Sequence, residues 1–508
     1  MKKNIYYYLL MTVFFLTSCD ALELSPQDGF AEGNFWKNES QVAGYISGMH
    51  TELRNNAQTF YIMGEQRGGL LTTIGTFGTG MDNTGLIDHN LRETSPGYSN
   101  WASFYDNILK LNVLIERLEG GLSFLSDSKL NFYKGQAYGL RALYYFYLLR
   151  TWGGVPLVLE PKVAQGITNP TDLYTPRSSE KDVIDFLKTE ITKSETCFAN
   201  DDFTLSAKRD LWSKAATLML KADIYLWAAK VYGTDTDNDL TTAMNALKAV
   251  QASPKFGLLE DSFEDVFTYD NKGNKEIIMA FHYEKGEAEQ TMKRFMYDIP
   301  QMANYYDRNG APIGDPLNVG DGTILATEWK WDFYETFSDK DKRKDFTFLD
   351  FYSADRAKHG VVLRKFLGTV DAATNKRSYS DDMPLYRYAE LLLMMAEIKN
   401  KQGGDPSAEI NAIRERACGE GNYDVYTNKT FAENELAILH ERDKEFVREG
   451  KRWFDVRRMQ DASGKPLAFT ESGLLEKDAY KLLWPIDTQT MTKDPLVEQT
   501  PGYDEHNN

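Results

Sequence analysis

The cysteine at position 19 lies in a context that supports covalent lipid attachment. Two lysines near the start precede an apolar, aromatic-rich run over 5–15, and Leu16-Thr17-Ser18-Cys19 follows it. A charged start, a short apolar run and small residues before a cysteine are typical of a lipoprotein signal, in which the thiol accepts the lipid. The run is too short to span the ~30 Å hydrocarbon core of a bilayer. The sequence therefore predicts a signal peptide over 1–18 and a mature chain held to a membrane by lipidated Cys19.

Residue patterns for enzyme chemistry are incomplete. His440-Glu441 begins like a zinc-protease motif, but Lys444 replaces the second histidine of that motif. The alternating aspartates of 235–239 resemble the opening of a calcium loop, yet Leu240 stands where the turn glycine belongs. We interpret this segment as a loop between helices, with Asp239 as the helix cap. The sequence predicts no enzyme activity, no metal site and no cofactor.

Noncovalent binding is the chemistry that the aromatic and polar residues of the predicted loops favour. Tyrosine and tryptophan offer an apolar ring face and a polar edge, which suits the two sides of a sugar ring. Aromatic residues on helix faces usually belong to the core, so the candidates are those outside predicted helices. The candidate ligand-binding residues are Phe77, Asp82, Asn83, Tyr98 and Trp101 in or beside a glycine-rich loop over 68–100, and Tyr297, Tyr305, Tyr306, Asp307, Arg308 and Asn309 in the irregular middle of the chain.

The aromatic candidates differ in how strongly the sequence favours a binding role for them. Tyr305-Tyr306 is the favoured pair, and we expect each ring that stacks on a sugar to contribute about 1–2 kcal/mol to binding. Trp101 stands where the loop meets a predicted helix, and a core position suits it as well as a binding role does. We assign Trp329 and Trp331 to the core, at the start of a helix predicted over 327–337.

Composition limits the class of partner. The 508 residues carry a formal net charge of −17, with 42% apolar and 13% aromatic residues. Such an acidic body is not attracted to phosphate backbones, so nucleic acid is not an expected partner. Besides Cys19 the chain contains Cys197 and Cys418, and their spacing leaves open whether they pair.

Helical periodicity dominates the chain on both sides of its middle. Apolar residues at three- and four-residue spacing and flanking cap residues indicate helices. The predicted helices are 38–54, 101–118, 134–152, 178–197 (capped by Ser179), 211–232, 243–251, 385–401, 406–417 and 434–454. Short strands are predicted over 276–281 and 361–366. Helix pairs with small residues at their contacts favour divergent tetratricopeptide-like packing, although no exact 34-residue period appears.

A dense group of charged residues surrounds Trp453. Its members are Glu441, Arg442, Glu445, Arg448, Arg452, Asp455 and Arg457. Spacings of three and four place several of them on one helix face. We interpret the group as structural ion pairs that fix helix packing, and we expect Arg141, Arg387 and Glu390 to act in the same way.

Several segments in order along the chain resemble those of one known family. They are Phe35-Trp36-Lys37-Asn38, Gly64-Glu65-Gln66-Arg67, Leu140-Arg141-Ala142-Leu143-Tyr144-Tyr145-Phe146, Trp152-Gly153-Gly154-Val155-Pro156-Leu157, Tyr386-Arg387-Tyr388-Ala389-Glu390-Leu391-Leu392-Leu393, Asn411-Ala412-Ile413-Arg414-Glu415-Arg416-Ala417, Glu441-Arg442 through Glu445, Arg452-Trp453-Phe454-Asp455-Val456-Arg457, Leu483-Trp484-Pro485-Ile486 and Pro501-Gly502-Tyr503. Together with the lipobox, they resemble the SusD/RagB family of nutrient-binding outer-membrane lipoproteins of Bacteroidota.

The resemblance implies a fold and a role. The fold is dominated by α-helices, with four divergent tetratricopeptide-like helix pairs and an irregular, loop-rich subdomain with a few short strands. We expect a tether over 19–35 and one body over 36–508. Within it, the scaffold covers 36–254 and 381–460, the ligand-side subdomain 255–380, and an extended segment 461–508.

The implied role is capture at the cell surface. A family member binds an oligosaccharide and delivers it to a SusC-type TonB-dependent β-barrel in the outer membrane, without catalysis. Peptide capture and a purely structural lid remain as alternatives, and the identity of the ligand does not carry over.

Overall fold

The computed structural model describes residues 35–98, 101–233, 235–260, 262–320 and 322–504. The predicted signal peptide, Cys19 and the tether as far as residue 34 lie outside the described residues. Helices dominate the described part, and its strands have two to five residues each. The prediction of a mainly helical fold with a few short strands is confirmed.

The α-helices lie mostly before residue 252 and after residue 387. In chain order they are α1 (Glu39–Asn55), α2 (Ala57–Glu65), α3 (Thr84–Ile87), α4 (Trp101–Glu119), α5 (Asp127–Trp152), α6 (Glu180–Cys197), α7 (Lys214–Trp227), α8 (Thr236–Gln251), α9 (Ile299–Met302), α10 (Trp331–Glu335), α11 (Lys342–Thr347), α12 (Tyr388–Lys401), α13 (Ser407–Cys418), α14 (Phe431–Glu445), α15 (Arg452–Arg458), α16 (Ala468–Glu471) and α17 (Thr488–Lys493). A π-helical turn, Ala228–Tyr232, continues α7.

Local sequence signals set several of these helices. Ser179 caps α6 in a capping box, because its hydroxyl accepts from the Asp182 amide and the Asp182 carboxylate accepts from the Ser179 amide. The predicted apolar stripe of α4 is buried along its length, and α5 packs between α4 and α6. The predictions for these helices are confirmed.

Some predicted helix bounds are wrong. The helix predicted over 434–454 is two helices, α14 and α15, because Arg448 and Gly450 adopt positive φ angles of 59° and 70° between them. Residues 385–387 belong to a strand, and the helix predicted over 327–337 shortens to α10. Asp239 is not a cap: it lies in the first turn of α8, where its carboxylate accepts from Lys188 Nζ at 2.7 Å.

Three antiparallel strand pairs organise the middle of the chain. β1 (Ile277–Phe281) pairs with β6 (Met383–Arg387), β2 (Phe348–Tyr352) with β3 (His359–Leu363), and β4 (Thr369–Val370) with β5 (Arg377–Ser378). β6 leads directly into α12. The β1–β6 pair therefore joins the irregular middle to the C-terminal helices.

Five of the seven residues of the charged group near Trp453 belong to a buried ion-pair network, whereas Arg448 and Arg457 form no ion pair within the described residues, so the ion-pair prediction is wrong for these two. Arg387 and Arg416 are both bonded to Glu276 and Glu445, and all four side chains are at most 1% exposed. Arg452 pairs with Asp443 and donates to the Gly68 carbonyl at 3.0 Å. These contacts join separate helices to the middle of the chain, as expected of ions that fix packing. Cys197 and Cys418 are free thiols.

Candidate functional site

The β2–β3 hairpin gains a third strand segment from the loop at Tyr306. The Tyr306 amide donates to the Tyr352 carbonyl at 2.8 Å, and the Tyr352 amide returns a bond of 2.9 Å. In the hairpin itself, Tyr352 is paired with His359. Directly paired residues of antiparallel strands point to the same face. Tyr306, Tyr352 and His359 therefore lie side by side on one face.

Trp331 completes this face from α10. Its ring centroid lies 4.3 Å from that of His359 and 5.6 Å from that of Tyr352, the latter edge to face. His359 is exposed and the other three rings are half-buried. We call Tyr306, Trp331, Tyr352 and His359 the aromatic shelf. It offers ring faces together with O–H and N–H groups at their edges, which suits stacking on a sugar ring.

Burial further favours the neutral form of the Tyr352 hydroxyl. Burial first, and the nearby Asp350 carboxylate second, raise the pKa of Tyr352 to about 12. The Tyr352 hydroxyl donates to Asp350 Oδ2 at 3.0 Å. Arg356 lies over the Tyr352 ring with its Cζ 4.9 Å from the centroid. The shelf thus carries a neutral phenol and a guanidinium beside its rings.

The opposite face of the hairpin holds a second aromatic group. Phe351 is fully buried there, and its ring centroid lies 5.3 Å from Phe77 and 5.2 Å from Tyr305. Phe77 and Tyr305 are half-buried and lie 5.1 Å apart, edge to face. Two sequence candidates from distant segments therefore meet, while Tyr305 and Tyr306 point to opposite faces because neighbouring residues of an extended segment alternate.

A buried carboxylate fixes the loop that carries Phe77. Glu328 is 4% exposed and accepts from the Thr76 amide at 2.9 Å and the Thr76 hydroxyl at 2.6 Å. Burial raises the pKa of Glu328. A Cβ at Gly360 would lie 2.2 Å from Thr76 Oγ1 and 2.6 Å from Glu328 Oε1, so the contact depends on glycine there.

The polar candidates beside the tyrosines hold the loop together. Asp307 Oδ1 accepts from the amides of Asn309 and Ala311, which closes a turn at Asn309-Gly310. Arg308 donates to Asp345 at 2.8 Å and to Asp350 at 2.7 Å. Asp307 and Arg308 are therefore engaged by the protein, and Asn309 stays exposed beside them.

The other candidates of the glycine-rich loop, Asp82, Asn83 and Tyr98, are not part of the aromatic shelf. Asp82 forms an ion pair with Arg294, and both side chains are partly exposed. Asn83, with φ 54°, precedes the short helix α3. The Tyr98 hydroxyl lies 3.2 Å from Thr59 Oγ1, so this ring packs near α2.

Two candidates are core residues. Tyr297 is fully buried, and its hydroxyl bonds to Asp315 and accepts from the Leu317 amide, so its ring is closed to a ligand. Trp101 is 7% exposed and packs edge to face on Trp152 with centroids 5.3 Å apart. Their neighbours in the fold enclose both rings, and for Trp101 this is the core position that the sequence leaves open beside a binding role.

Sequence reasoning missed three members of the shelf. Trp329, at 1% exposure, is a core residue as the sequence predicts, whereas Trp331 is half-buried and packs against the core from outside. Tyr352 and His359 are absent from the predicted site, because the sequence analysis predicts no strand over 348–352. The run Phe348–Tyr352 is rich in aromatic residues, which favour strands, and this composition is the signal that predicts the strand.

Over the described residues, no group of three or more His, Cys, Asp or Glu side chains is arranged to hold a metal ion. None of the described helices is long and apolar enough to cross a membrane.

Comparison with known proteins adds to this geometry. Residues 353–503 match the family model described as SusD family, and residues 22–226 match one described as starch-binding associating with outer membrane. A crystal structure of a SusD superfamily protein from Bacteroides fragilis NCTC 9343 is 38% identical, with a TM-score of 0.84, covering 92% of this chain and 100% of that one. The chain belongs to the SusD family.

Two other proteins are similar along nearly the whole chain. NanU of B. fragilis is 32% identical with a TM-score of 0.83, covering 94% of this chain and 100% of that one. SusD-like protein P38 of Formosa agariphila is 26% identical, covering 98% of this chain and 99% of its own. Membership of the SusD family agrees with a glycan-binding role and an outer-membrane location.

Proposed function

We propose that this protein captures an oligosaccharide at the cell surface and delivers it to a SusC-type TonB-dependent transporter. The observation that carries the proposal is the aromatic shelf, an accessible group of four rings assembled from three separate segments of a SusD-family chain. The lipid on Cys19 would hold the body to the outer membrane, facing the exterior.

The shelf is suited to a flat, hydroxylated ligand. Trp331 and Tyr352 supply ring surface, while the Tyr306 hydroxyl, the His359 imidazole and Arg356 supply hydrogen-bonding groups at its edge. The Phe77 loop, held by Glu328, supports the hairpin from behind through Phe351. A rigid support keeps the rings in place before the ligand arrives, which lowers the entropy lost on binding.

Calorimetric titration of the mature body tests ligand capture. A panel of glycans and a mixed peptide pool are titrated into the parent protein and into three variants. We expect Trp331→Ala and Tyr306→Ala each to lose about 1–2 kcal/mol of glycan binding, or roughly 5- to 30-fold in affinity. The matched control is Tyr423→Ala, which removes a partly exposed tyrosine from the α13–α14 connection and should leave affinity unchanged.

The alternatives give different titration results. Heat from the peptide pool alone would favour a peptide-capturing protein, which relies on backbone hydrogen bonds. No measurable binding heat from either the glycans or the peptides, together with stable association with the transporter, would favour a structural lid. Unchanged glycan affinity in both shelf variants would remove the shelf as the binding site.

Membrane attachment and delivery have separate tests. We expect Cys19→Ser to release the protein from the outer-membrane fraction, because the thiol that accepts the lipid is absent. Affinity purification of the tagged parent chain from detergent-solubilised outer membranes should recover a TonB-dependent barrel. Recovery of the chain without such a barrel would contradict delivery and leave capture intact.

A further inference from the structure

A cleft of about 500 Å³ lies at the junction of the helical scaffold and the C-terminal segment. The N-terminus of α6, the π-helical turn after α7, the end of α15 and residues 479–501 surround it. Residues that define its chemistry are Arg177, Glu180, Val231, Arg457, Leu482 and Pro501. No residue of the aromatic shelf contributes to this cleft.

Arg457 is the buried cation of the cleft. It is 8% exposed, and its Cζ lies 5.1 Å from the ring centroid of Trp227 and 5.7 Å from that of Trp453. Its Nη1 donates to the Arg150 carbonyl. Within the described ranges, no carboxylate lies within ion-pair distance of its guanidinium. Most of its N–H donors therefore remain for another acceptor.

Most other buried arginines of the protein are paired with carboxylates. Partners on neighbouring elements are found for Arg343, Arg387, Arg416, Arg442 and Arg458. Among the described arginines that are buried, Arg67 and Arg448 also form no ion pair with a carboxylate. Both of these side chains are 0% exposed, so neither is open to a ligand. Arg457 differs because it lines a cleft, and burial lowers its pKa to about 10.

The other charged groups of the cleft favour a ligand with one negative charge. Arg177 is held by the carbonyls of Gly154, Trp152 and Glu498, at 2.6, 2.6 and 3.1 Å. Glu180 accepts from the Tyr232 hydroxyl at 2.8 Å. The carboxylates of Glu180 and the exposed Glu498 would repel a dianion. The two arginines and two carboxylates of the cleft sum to zero charge, so a ligand with one negative charge is repelled less than a dianion and can bind the unpaired Arg457 guanidinium.

We propose that this cleft is a second binding site, which takes a monocarboxylate ligand with its carboxylate on the Arg457 guanidinium. The planar guanidinium matches the two oxygens of a carboxylate. The apolar walls at Val231, Leu482 and Pro501 hold the carbon body that follows the carboxylate. The site is independent of glycan capture on the aromatic shelf, so either proposal can fail without the other.

Calorimetric titration of the intact mature protein tests the site with benzoate, inorganic phosphate, trialanine and trialanine amide. We expect benzoate or trialanine to bind and trialanine amide and phosphate not to bind. Benzoate binding alone identifies a small free acid as the natural class, and tighter trialanine binding identifies a polypeptide C-terminus. The proposal would be overturned if phosphate bound as tightly as benzoate or trialanine, or if neither benzoate nor trialanine bound.

Variants locate the ligand in the cleft. We expect Arg457→Gln to weaken carboxylate binding at least about 10-fold, because a charge-assisted bidentate contact is lost. Val231→Trp keeps Arg457 and fills the cleft from its rim, where Val231 is 37% exposed, so it serves if Arg457→Gln does not fold. Arg92→Gln, at an exposed arginine outside both the cleft and the aromatic shelf, is the control and should bind as the parent does. Parent-like affinity in the folded cleft variants would refute the assignment.

Discussion

The bond between Thr76 and Glu328 gives the sharpest test of how the fold supports the aromatic rings. Replacing Thr76 by valine keeps the shape of the side chain and removes the hydroxyl that lies 2.6 Å from Glu328 Oε1. The same hydroxyl lies 2.8 Å from the His359 carbonyl, so it ties the Phe77 loop to the hairpin as well. The backbone bond from the Thr76 amide to Glu328 remains.

The size of the effect follows from the burial of Glu328. A hydrogen bond to a charged group contributes about 1.5–3 kcal/mol, and a buried acceptor that loses its donor cannot recover the bond from water. Glu328 is 4% exposed, and none of the described lysines, arginines or histidines forms an ion pair with it. We therefore expect Thr76→Val to make loop opening about 2 kcal/mol easier, which is about 30-fold in the opening equilibrium.

Hydrogen exchange of the loop measures this opening. The amides of Gly75, Gly78 and Met81 bond within the loop, to Thr79, Gly75 and Thr73, and should exchange about 30-fold faster in Thr76→Val. Thr79→Val is the matched control, since Thr79 is exposed and its hydroxyl has no hydrogen-bond partner in the described part of the chain. Exchange in Thr76→Val within about threefold of the control would refute the reasoning.

Three further predictions concern stability. The pKa of buried Glu65 is raised from 4.5 to about 8, so its contribution to stability is full below about pH 4.5 and is lost as the pH rises through about 8. In denaturant unfolding, the unfolding free energy of Glu65→Gln should therefore rise relative to that of the parent, by up to about 1.4 kcal/mol per pH unit between pH 4.5 and 8. A difference in unfolding free energy that does not change with pH would contradict this. Arg452→Ala should cost about 3–5 kcal/mol of unfolding free energy by leaving buried Asp443 unpaired, without selective loss of ligand affinity; normal melting with lost binding would refute this. Gly139→Ala should lower the melting temperature, because its Cβ would lie 2.0 Å from Trp212 Nε1, whereas Gly44→Ala, with open space around it, should raise stability by about 0.5–1 kcal/mol; equal effects would contradict the packing argument.

The strand pairs show where local sequence patterns stop being sufficient. Leu385 and Tyr386 continue the spacing of large side chains in the helix that follows, yet residues 385–387 form a strand because β1, more than a hundred residues earlier, pairs with them. The break between α14 and α15 arises in a similar way. The Arg448 and Gly450 amides donate to the Glu65 carboxylate, which comes from a distant helix, and the chain turns to reach it.

The sequence by itself determined the family and the helical character of the fold, through local patterns and motifs in a fixed order. Capping at Ser179, the stripe of α4 and the core position of Trp329 follow from residues close together in the chain. The tertiary structure decided which rings share a face. Tyr306, Trp331, Tyr352 and His359 meet because strand pairing and helix docking join separate segments, and the energy of those contacts depends on residues that no local window contains.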